Sequence, residues 1–121
     1  MKYMLLCYHE EQFWERAGAA ALEAGRNEAA QLVHDLDAKG QWLRSAPLHP
    51  SATATSVRVR DGKRIVTDGP FAETREVLGG FHLIDVPSLE EAIEAAARHA
   101  RISHGTVEVR PIEEIEGVPK T

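Results

Sequence analysis

The sequence predicts an α+β fold of the ferredoxin-like type, in which a split βαβ pattern carries an inserted β-hairpin. Three observations lead to this prediction. The elements follow the order strand, helix, strands, strand, helix, strand; Asp61-Gly62 is a hairpin turn signal between two strand-like runs; and at least two strands have apolar side chains on both faces. A chain of 121 residues has the size of one domain, so residues 1–121 are expected to form one domain with a loose tail at 113–121.

The strands are predicted from short apolar or alternating runs. The first covers Lys2–Tyr8, with apolar side chains on both faces. Further strands are expected over Trp42–Leu48, Thr53–Arg60, Lys63–Thr67, Leu78–Val86 and Thr106–Ile112. In the hairpin, Val57 and Val59 are predicted to point inward.

Two helical regions are predicted between the strands. Glu10–Lys39 is rich in Ala, Glu and Leu, although Gly18 and Gly25 weaken it and could divide it into two pieces. Ser88 and Glu91 form a capping box that opens a helix from Leu89 to about Arg101. The expected inward stripes are Ala29, Leu32, Val33 and Leu36 in the first region, and Leu89, Ala92, Ile93 and Ala96 in the second.

Two helices can cover only one face of such a sheet, so another element must cover the second apolar face. A second copy packed sheet against sheet would do this, which predicts a two-fold homodimer. The alternative is that the spare apolar face lines a pocket.

Composition excludes several classes of function. The net charge is −5, with acids and bases mixed along the chain, which argues against a nucleic-acid surface and against docking on anionic membranes. The small basic group Arg58, Arg60, Lys63 and Arg64 is attributed to an exposed strand edge. Cys7 is the one cysteine, and on a strand with two apolar faces it is expected to be inert. With no segment of about 20 apolar residues and no signal-peptide pattern, a cytoplasmic protein is predicted.

The stretch DGPFAETRE at residues 68–76 concentrates charge in one loop. Its turn chemistry has a structural explanation: Gly69 tolerates positive φ, Pro70 suits a tight turn, and Phe71 would plug the loop into apolar surface. Four charged side chains could instead offer a base, an acid and an anion clamp to a ligand, namely Asp68, Glu73, Arg75 and Glu76. Both interpretations stay open on residue types.

Three other residues are candidates for a polar site. His82 lies on a strand with two covered faces, where it either packs in a core or interface, or contacts a ligand in the dimer cleft and titrates near neutrality. Glu108 and Arg110 share one face of a strand expected to be central, and they either form an internal salt bridge with Arg75 or Glu73, or line an anion-binding cleft. The six histidines contain no HxH or HxxxH pair, so no metal site is predicted.

A family resemblance covers nearly the whole chain. TDGPFAETREVLGGF resembles the signature of the DGPF branch of the YCII-related family, and KYMLLCYH, ATATSVRVRDGK, SLEEAIEAAA and GTVEVRPIEE match similar segments of that family in order. The resemblance implies a dimeric α/β barrel of ferredoxin-like units. Most members of this branch have no established activity. Some are encoded beside or joined to extracytoplasmic-function sigma factors, and the wider superfamily includes isomerases of small anionic lactones that use no metal.

The chain departs from the catalytic pair proposed for the YCII branch proper. That pair is a His on the first helix and an Asp before a Pro after the second helix. The corresponding positions here are Ala29 and the neighbourhood of His99-Ala100. The pair is therefore not carried over, and whether the chain is an enzyme stays open.

Together these observations predict a homodimer whose polar cleft binds a small anionic metabolite, with a potential for acid–base chemistry of isomerase or lyase type that needs no cofactor. The catalytic candidates are Asp68, Glu73 and His82. The expected ligand-binding residues are Asp68, Phe71, Glu73, Arg75, Glu76, His82, Glu108 and Arg110. The alternative is a non-catalytic accessory or regulatory module that partners a sigma factor through protein contacts.

Overall fold

The computed structural model describes residues 1–121 and confirms the predicted α+β element order. The elements are β1 (Lys2–His9), α1 (Glu11–Ala17), α2 (Ala19–Ala38), β2 (Trp42–Pro47), β3 (Thr55–Arg60), β4 (Lys63–Asp68), β5 (Val77–Asp85), α3 (Leu89–Ser103) and β6 (Thr106–Pro111). A short 3-10 turn, Ser51–Thr53, precedes β3. None of the three helices is both long enough and apolar enough to cross a membrane.

The main sheet has four strands in the order β2-β5-β1-β6, all pairs antiparallel. This is the strand order of a ferredoxin-like fold, with β3 and β4 inserted between β2 and β5. Leu5 of β1 stands opposite both His82 of β5 and Val109 of β6. The strand β6 therefore lies at an edge of the sheet, and the expectation that it is central is wrong.

Helices α2 and α3 cover one face of the sheet. Tyr3, Leu5 and Ile84 on that face pack with Leu32 and Leu36 of α2. The α3 contribution to this core comes from Ala92, Ala95 and Ala96. The opposite face carries Met4, Leu6, Tyr8 and Phe81, which are only half-buried.

The predicted inward stripe of α3 is partly wrong. Leu89 and Ile93 are exposed, whereas Ala95 is buried beside Ala92 and Ala96. Small side chains allow the helix to approach the sheet closely, so its contact face is set by the alanines rather than by its largest apolar residues. Extended along the helix, that face reaches His99 and Ser103 at i+7 and i+11 from Ala92.

Gly18 divides the first helical region and Gly25 does not. Gly18 has φ +92° and separates α1 from α2. Gly25 remains helical, and a Cβ added there would lie 3.0 Å from the indole ring of Trp14. Gly25 thus lets Trp14 of α1 lie against the backbone of α2.

The inserted hairpin forms its own two-stranded sheet. Asp61 and Gly62 both have positive φ, +52° and +74°, as a two-residue type I′ hairpin turn requires, and this confirms the turn prediction. Val57 and Val59 are 60% and 62% exposed. Their predicted inward orientation is wrong in the single chain, because β3 and β4 pair only with each other and cover no core.

Candidate functional site

A cavity of about 550 Å³ lies between the helix-covered face of the sheet and the helices. The sheet lines it with Cys7, His9, Ser45, Gly80 and His82. Helix α2 contributes mainly small and apolar side chains, including Ala29 and Val33, and α3 contributes His99, Ile102 and Ser103. The cavity therefore combines apolar walls with a few polar groups, which is the usual character of a small-molecule site.

His82 enters the cavity wall because of its register in the sheet. It stands opposite Leu5 on β1 and opposite Ser45 on β2, so all three side chains lie on the helix-covered face. His82 is 5% exposed. It lies on this face rather than on the open face that the predicted dimer would cover.

Four side chains form a continuous chain of hydrogen bonds beside the cavity. Trp42 Nε1 donates to Ser45 Oγ at 2.8 Å, and Ser45 Oγ lies 2.6 Å from His82 Nδ1. His82 Nε2 then lies 3.0 Å from His99 Nδ1. Both ring nitrogens of His82 are used within the chain, which holds the imidazole in one orientation.

Burial keeps the two imidazoles of this chain neutral. Desolvation, followed by the charge of His99, lowers the pKa of His82 from 6.5 to about 4. Desolvation, followed by the charge of His9, also lowers the pKa of His99. His82 is therefore not the group titrating near neutrality that the sequence suggested. At neutral pH each ring has one nitrogen that donates and one that accepts.

Cys7, His82 and His99 could offer three ligand atoms to a metal ion, since these atoms lie within 4.8 Å of one another. Burial raises the pKa of the Cys7 thiol to about 12, and its Sγ lies 3.7 Å from the Leu5 carbonyl oxygen. A metal would have to displace the thiol proton and break the His82–His99 hydrogen bond. In the structure His82 Nε2 and His99 Nδ1 are instead 3.0 Å apart, within hydrogen-bond distance of each other.

Two polar atoms of α3 are not used by the rest of the chain. Ser103 Oγ is buried without a hydrogen-bond partner. The Nδ1 atom of His99 is hydrogen-bonded to His82, while its Nε2 atom has no partner and is not buried. The two residues are four positions apart, so they lie on the same helix face, and both line the cavity.

Elements α1 and the 3-10 turn meet at one side of the cavity. Glu11 of α1 accepts hydrogen bonds from Ser51 N, at 2.8 Å, and from Ser51 Oγ. The hydroxyl hydrogen bond is the main reason that the pKa of Glu11 is lowered. His9 lies against Gly79, where a Cβ would come 2.0 Å from the imidazole ring, so glycine at 79 makes room for this ring in the wall.

The predicted loop residues lie outside this cavity. Asp68 ends β4 opposite Thr55, and Gly69, with φ +91°, is tied to the hairpin by its N–H to the Ala54 carbonyl at 2.7 Å. Phe71 is 80% exposed, so the expectation that it plugs the loop into apolar surface is wrong in the single chain. The remaining charges of the loop, Glu73, Arg75 and Glu76, do not line the cavity either.

The expected ion pairs between loop and last strand are also absent. Arg75 instead pairs with Glu10 at 3.1 Å, and Arg110 approaches Glu108 of its own strand at 3.8 Å. Glu108 and Arg110 are opposite Leu6 and Met4 on the open face of the sheet. Of the eight predicted ligand-binding residues, His82 lines the cavity, and the others lie elsewhere on the surface.

Sequence reasoning missed Ser45, His99 and Ser103 as members of a site. A signal existed for the last two, because Ala92, Ala95, Ala96, His99 and Ser103 follow helical spacing. This signal was missed because the buried face of α3 was predicted from its largest apolar side chains, Leu89 and Ile93, rather than from its alanines. Ser45 had no signal of its own, since its role depends on the register between β2 and β5.

An antiparallel four-stranded sheet and two covering helices define a ferredoxin-like α+β domain, with a buried histidine pair at the wall of its cavity. Within this class the family is shown by comparison. The model of the YCII-related domain matches residues 1–116, and the chain belongs to that family. It is 37% identical over 121 residues to a protein of Rhizobium meliloti (strain 1021) that is described as uncharacterized, an alignment covering 93% of this chain and 92% of the relative.

Proposed function

We propose that this chain binds a small molecule in the cavity and that the histidines of its wall support acid–base chemistry without a cofactor. The observation that carries the proposal is the neutral His82–His99 pair at the wall of a cavity of about 550 Å³. This volume lies within the range of about 300–1,000 Å³ that small-molecule sites occupy. The ligand would have an apolar body and a polar end, because most of the wall is apolar.

The polar groups have complementary roles in such chemistry. The Nδ1 atom of His99 is hydrogen-bonded to His82, so its Nε2 atom is free to contact a ligand. His9 also lines the cavity and offers a second imidazole to a bound ligand. A neutral imidazole that polarises an oxygen, together with a second imidazole that removes a proton, is sufficient for isomerase- or lyase-type proton transfer.

The family resemblance noted in the sequence supports the choice of this cavity over the charged loop. The positions where the YCII branch would carry its proposed catalytic pair fall here at Ala29 and near His99, and both residues line the cavity. Asp68 and Glu73, the other two catalytic candidates from the sequence, lie outside it. We therefore assign the acid–base role to the histidines, while an anionic ligand stays a prediction.

A variant pair on one helix tests ligand binding directly. Ala29→Phe places a large side chain on the cavity wall, whereas Ala24→Phe adds the same bulk at an exposed position of α2 that does not line the cavity. A thermal-shift screen of small carbonyl and carboxylate compounds should find ligands for the parent and for Ala24→Phe. Binding should be lost in Ala29→Phe. If no compound stabilises the parent, or if Ala29→Phe binds as well as the parent, the proposal is wrong.

We also propose that a second copy covers the open face of the sheet. Met4, Leu6, Tyr8 and Phe81 form a half-buried apolar row there, which a two-fold sheet-to-sheet contact would cover. Light scattering should give twice the mass of the chain. Leu6→Glu should return the mass to that of one chain, whereas Leu89→Glu, on an exposed position of α3, should not. A parent that already has the mass of one chain would refute the dimer.

The exposed loop favours a second function, that of an accessory module. Phe71 is a large apolar side chain on a charged loop, and it makes no part of the core. Such a loop suits a protein contact, and the sigma factor expected from the resemblance is the partner to test. A purified extracytoplasmic-function sigma factor from the same source should bind the parent but not Phe71→Ala. Equal binding, or none, would count against this function.

A further inference from the structure

The hydrogen-bond chain beside the cavity can run in only one direction. The indole N–H of Trp42 is a donor and has no acceptor function, so Ser45 Oγ must accept it. The hydroxyl proton of Ser45 then needs an acceptor, and the neighbouring His82 Nδ1 at 2.6 Å is the one that the chain provides. His82 Nδ1 therefore carries no proton.

This direction fixes the protons on both imidazoles. A neutral His82 without a proton on Nδ1 carries it on Nε2, which donates to His99 Nδ1 at 3.0 Å. The neutral His99 then carries its proton on Nε2, the nitrogen with no partner in the chain. The reverse direction would make His82 Nδ1 a second donor to Ser45 and leave the serine hydroxyl proton without an acceptor, which is costly in a buried site.

The unpartnered serine lies one helical turn beyond this N–H. Ser103 Oγ is buried and unsatisfied, at a cavity-lining position four residues from His99. A buried hydroxyl without a partner is rare in a folded chain and calls for an explanation. A ligand atom that completes its hydrogen bond would supply one.

We propose that His99 Nε2–H and Ser103 Oγ–H form a subsite that binds a ligand oxygen acceptor, either a neutral carbonyl or a carboxylate. The inference rests on the proposed function, since it assigns the polar end of the ligand that the cavity binds. Two donors converging on one oxygen stabilise negative charge there. The same subsite would select against an ammonium group, because the N–H of His99 offers it no lone pair.

The proton positions can be measured on the free chain. Long-range proton–nitrogen spectra of ¹⁵N-labelled imidazoles distinguish a nitrogen with a proton from one without. We expect both His82 and His99 to carry the proton on Nε2. Ser45→Ala should convert them to a tautomer mixture, while Ser56→Ala in the hairpin, whose hydroxyl bonds the Gly69 carbonyl instead, should leave them unchanged. A proton on His99 Nδ1 would overturn the inference.

Matched probes test the selectivity of the subsite. Acetophenone carries a carbonyl oxygen, α-methylstyrene replaces that oxygen by CH₂, benzoate carries an anionic acceptor, and benzylammonium carries donors only. Nuclear magnetic resonance titration should show that acetophenone, benzoate or both bind more tightly than α-methylstyrene, with benzylammonium weakest. Which of the two acceptors binds better separates a carbonyl ligand from a carboxylate ligand.

The substitution Ser103→Ala tests whether Ser103 causes the preference for acceptor probes. Ser103→Ala removes a hydroxyl that the free chain does not use, so the fold should be retained. We expect the better acceptor probe to bind about fivefold more weakly, as the loss of one hydrogen bond predicts, and α-methylstyrene to bind as before. Equal affinity of all four probes, or an unchanged acceptor affinity in Ser103→Ala, would refute the subsite while leaving the cavity a binding site. Failure of every probe to bind, with the tautomers as expected, would instead refute the proposed function.

Discussion

His99 and Ser103 are the side chains on which the account of the site depends, and each has an unused polar atom in a chain that otherwise satisfies its buried groups. Natural proteins leave few buried hydroxyls unsatisfied, as Ser103 Oγ is here. A buried polar group without a partner lowers the stability of the free chain but can bind a ligand, so substituting it is expected to raise stability and weaken binding.

The first prediction compares two Ser→Ala substitutions at the ends of α3. Ser103→Ala removes an unsatisfied buried hydroxyl and should leave the free energy of unfolding unchanged or raise it by about 1 kcal/mol. Ser88→Ala removes an N-cap whose Oγ accepts the Glu91 N–H at 3.3 Å, and should lower the free energy of unfolding by about 1 kcal/mol. Urea unfolding measures both. A clear loss of stability in Ser103→Ala would show that its hydroxyl has a partner in the free chain.

The second prediction concerns the pH dependence of stability. The pKa of His82 is lowered from 6.5 in an unfolded reference to about 4 in the fold, so its contribution is complete above pH 6.5 and is lost as the pH falls toward 4. Within this window the unfolded chain binds one more proton at this site, so His82 alone should lower the free energy of unfolding by about 1.4 kcal/mol per pH unit. His99, whose pKa is also lowered, adds to the fall with the same sign. The lowered carboxylate pKa values of Glu11 and Asp35 act only below their ordinary values of 4.5 and 3.8.

Urea unfolding between pH 6.5 and pH 4, with two histidine variants, isolates the contribution of His82 to the pH dependence of stability. His82→Gln should reduce the slope between pH 6.5 and the acid limit, whereas His34→Gln, at an exposed position of α2, should keep it. A parent whose stability is constant throughout this range would contradict the burial of a neutral His82.

At the scale of elements, the sequence predicted what local signals determine. Asp61-Gly62 specified the hairpin turn and Ser88 specified the start of α3, because each acts on its own backbone. The stripe of α3 was misjudged because burial there depends on how closely alanines let the helix approach the sheet. The cavity and the pairing of Ser45 with His82 arise from register and packing distance, which no local pattern contains.

The third prediction tests a close approach between elements. A Cβ at Gly105, which joins α3 to β6, would lie 1.9 Å from the Tyr8 carbonyl oxygen of β1. Gly105→Ala should therefore lower the free energy of unfolding by about 1–3 kcal/mol or more, since backbone must move. Gly25→Ala meets a Trp14 side chain at 3.0 Å and gains helix propensity of about 1 kcal/mol, so it should be nearly neutral. Equal effects in urea unfolding would contradict this packing.

For the whole molecule, the structure separates the charged DGPFAETRE loop from the cavity. The loop carries the most conspicuous sequence pattern, yet its Arg75 pairs at the surface with Glu10. The chain belongs to the YCII-related family, and the charged loop and the cavity are two separate features of its fold.

The fourth prediction follows from this separation. Arg75→Ala removes an exposed ion pair, so it should lower the free energy of unfolding by less than about 1 kcal/mol and leave the affinity of the cavity for acetophenone unchanged. Calorimetric titration with the parent as reference checks both the fold and the site. A severalfold loss of affinity for acetophenone in Arg75→Ala would contradict the separation and show that the loop takes part in binding.

Ligands are proposed to bind between the sheet and its helices rather than on the open face. Nuclear Overhauser contacts between bound acetophenone and the methyl-labelled chain test it most directly. We predict contacts from the probe to Val33 and Ile102, both of which line the cavity. Contacts to Met4 and Leu6 on the open face, with none to Val33 or Ile102, would contradict it.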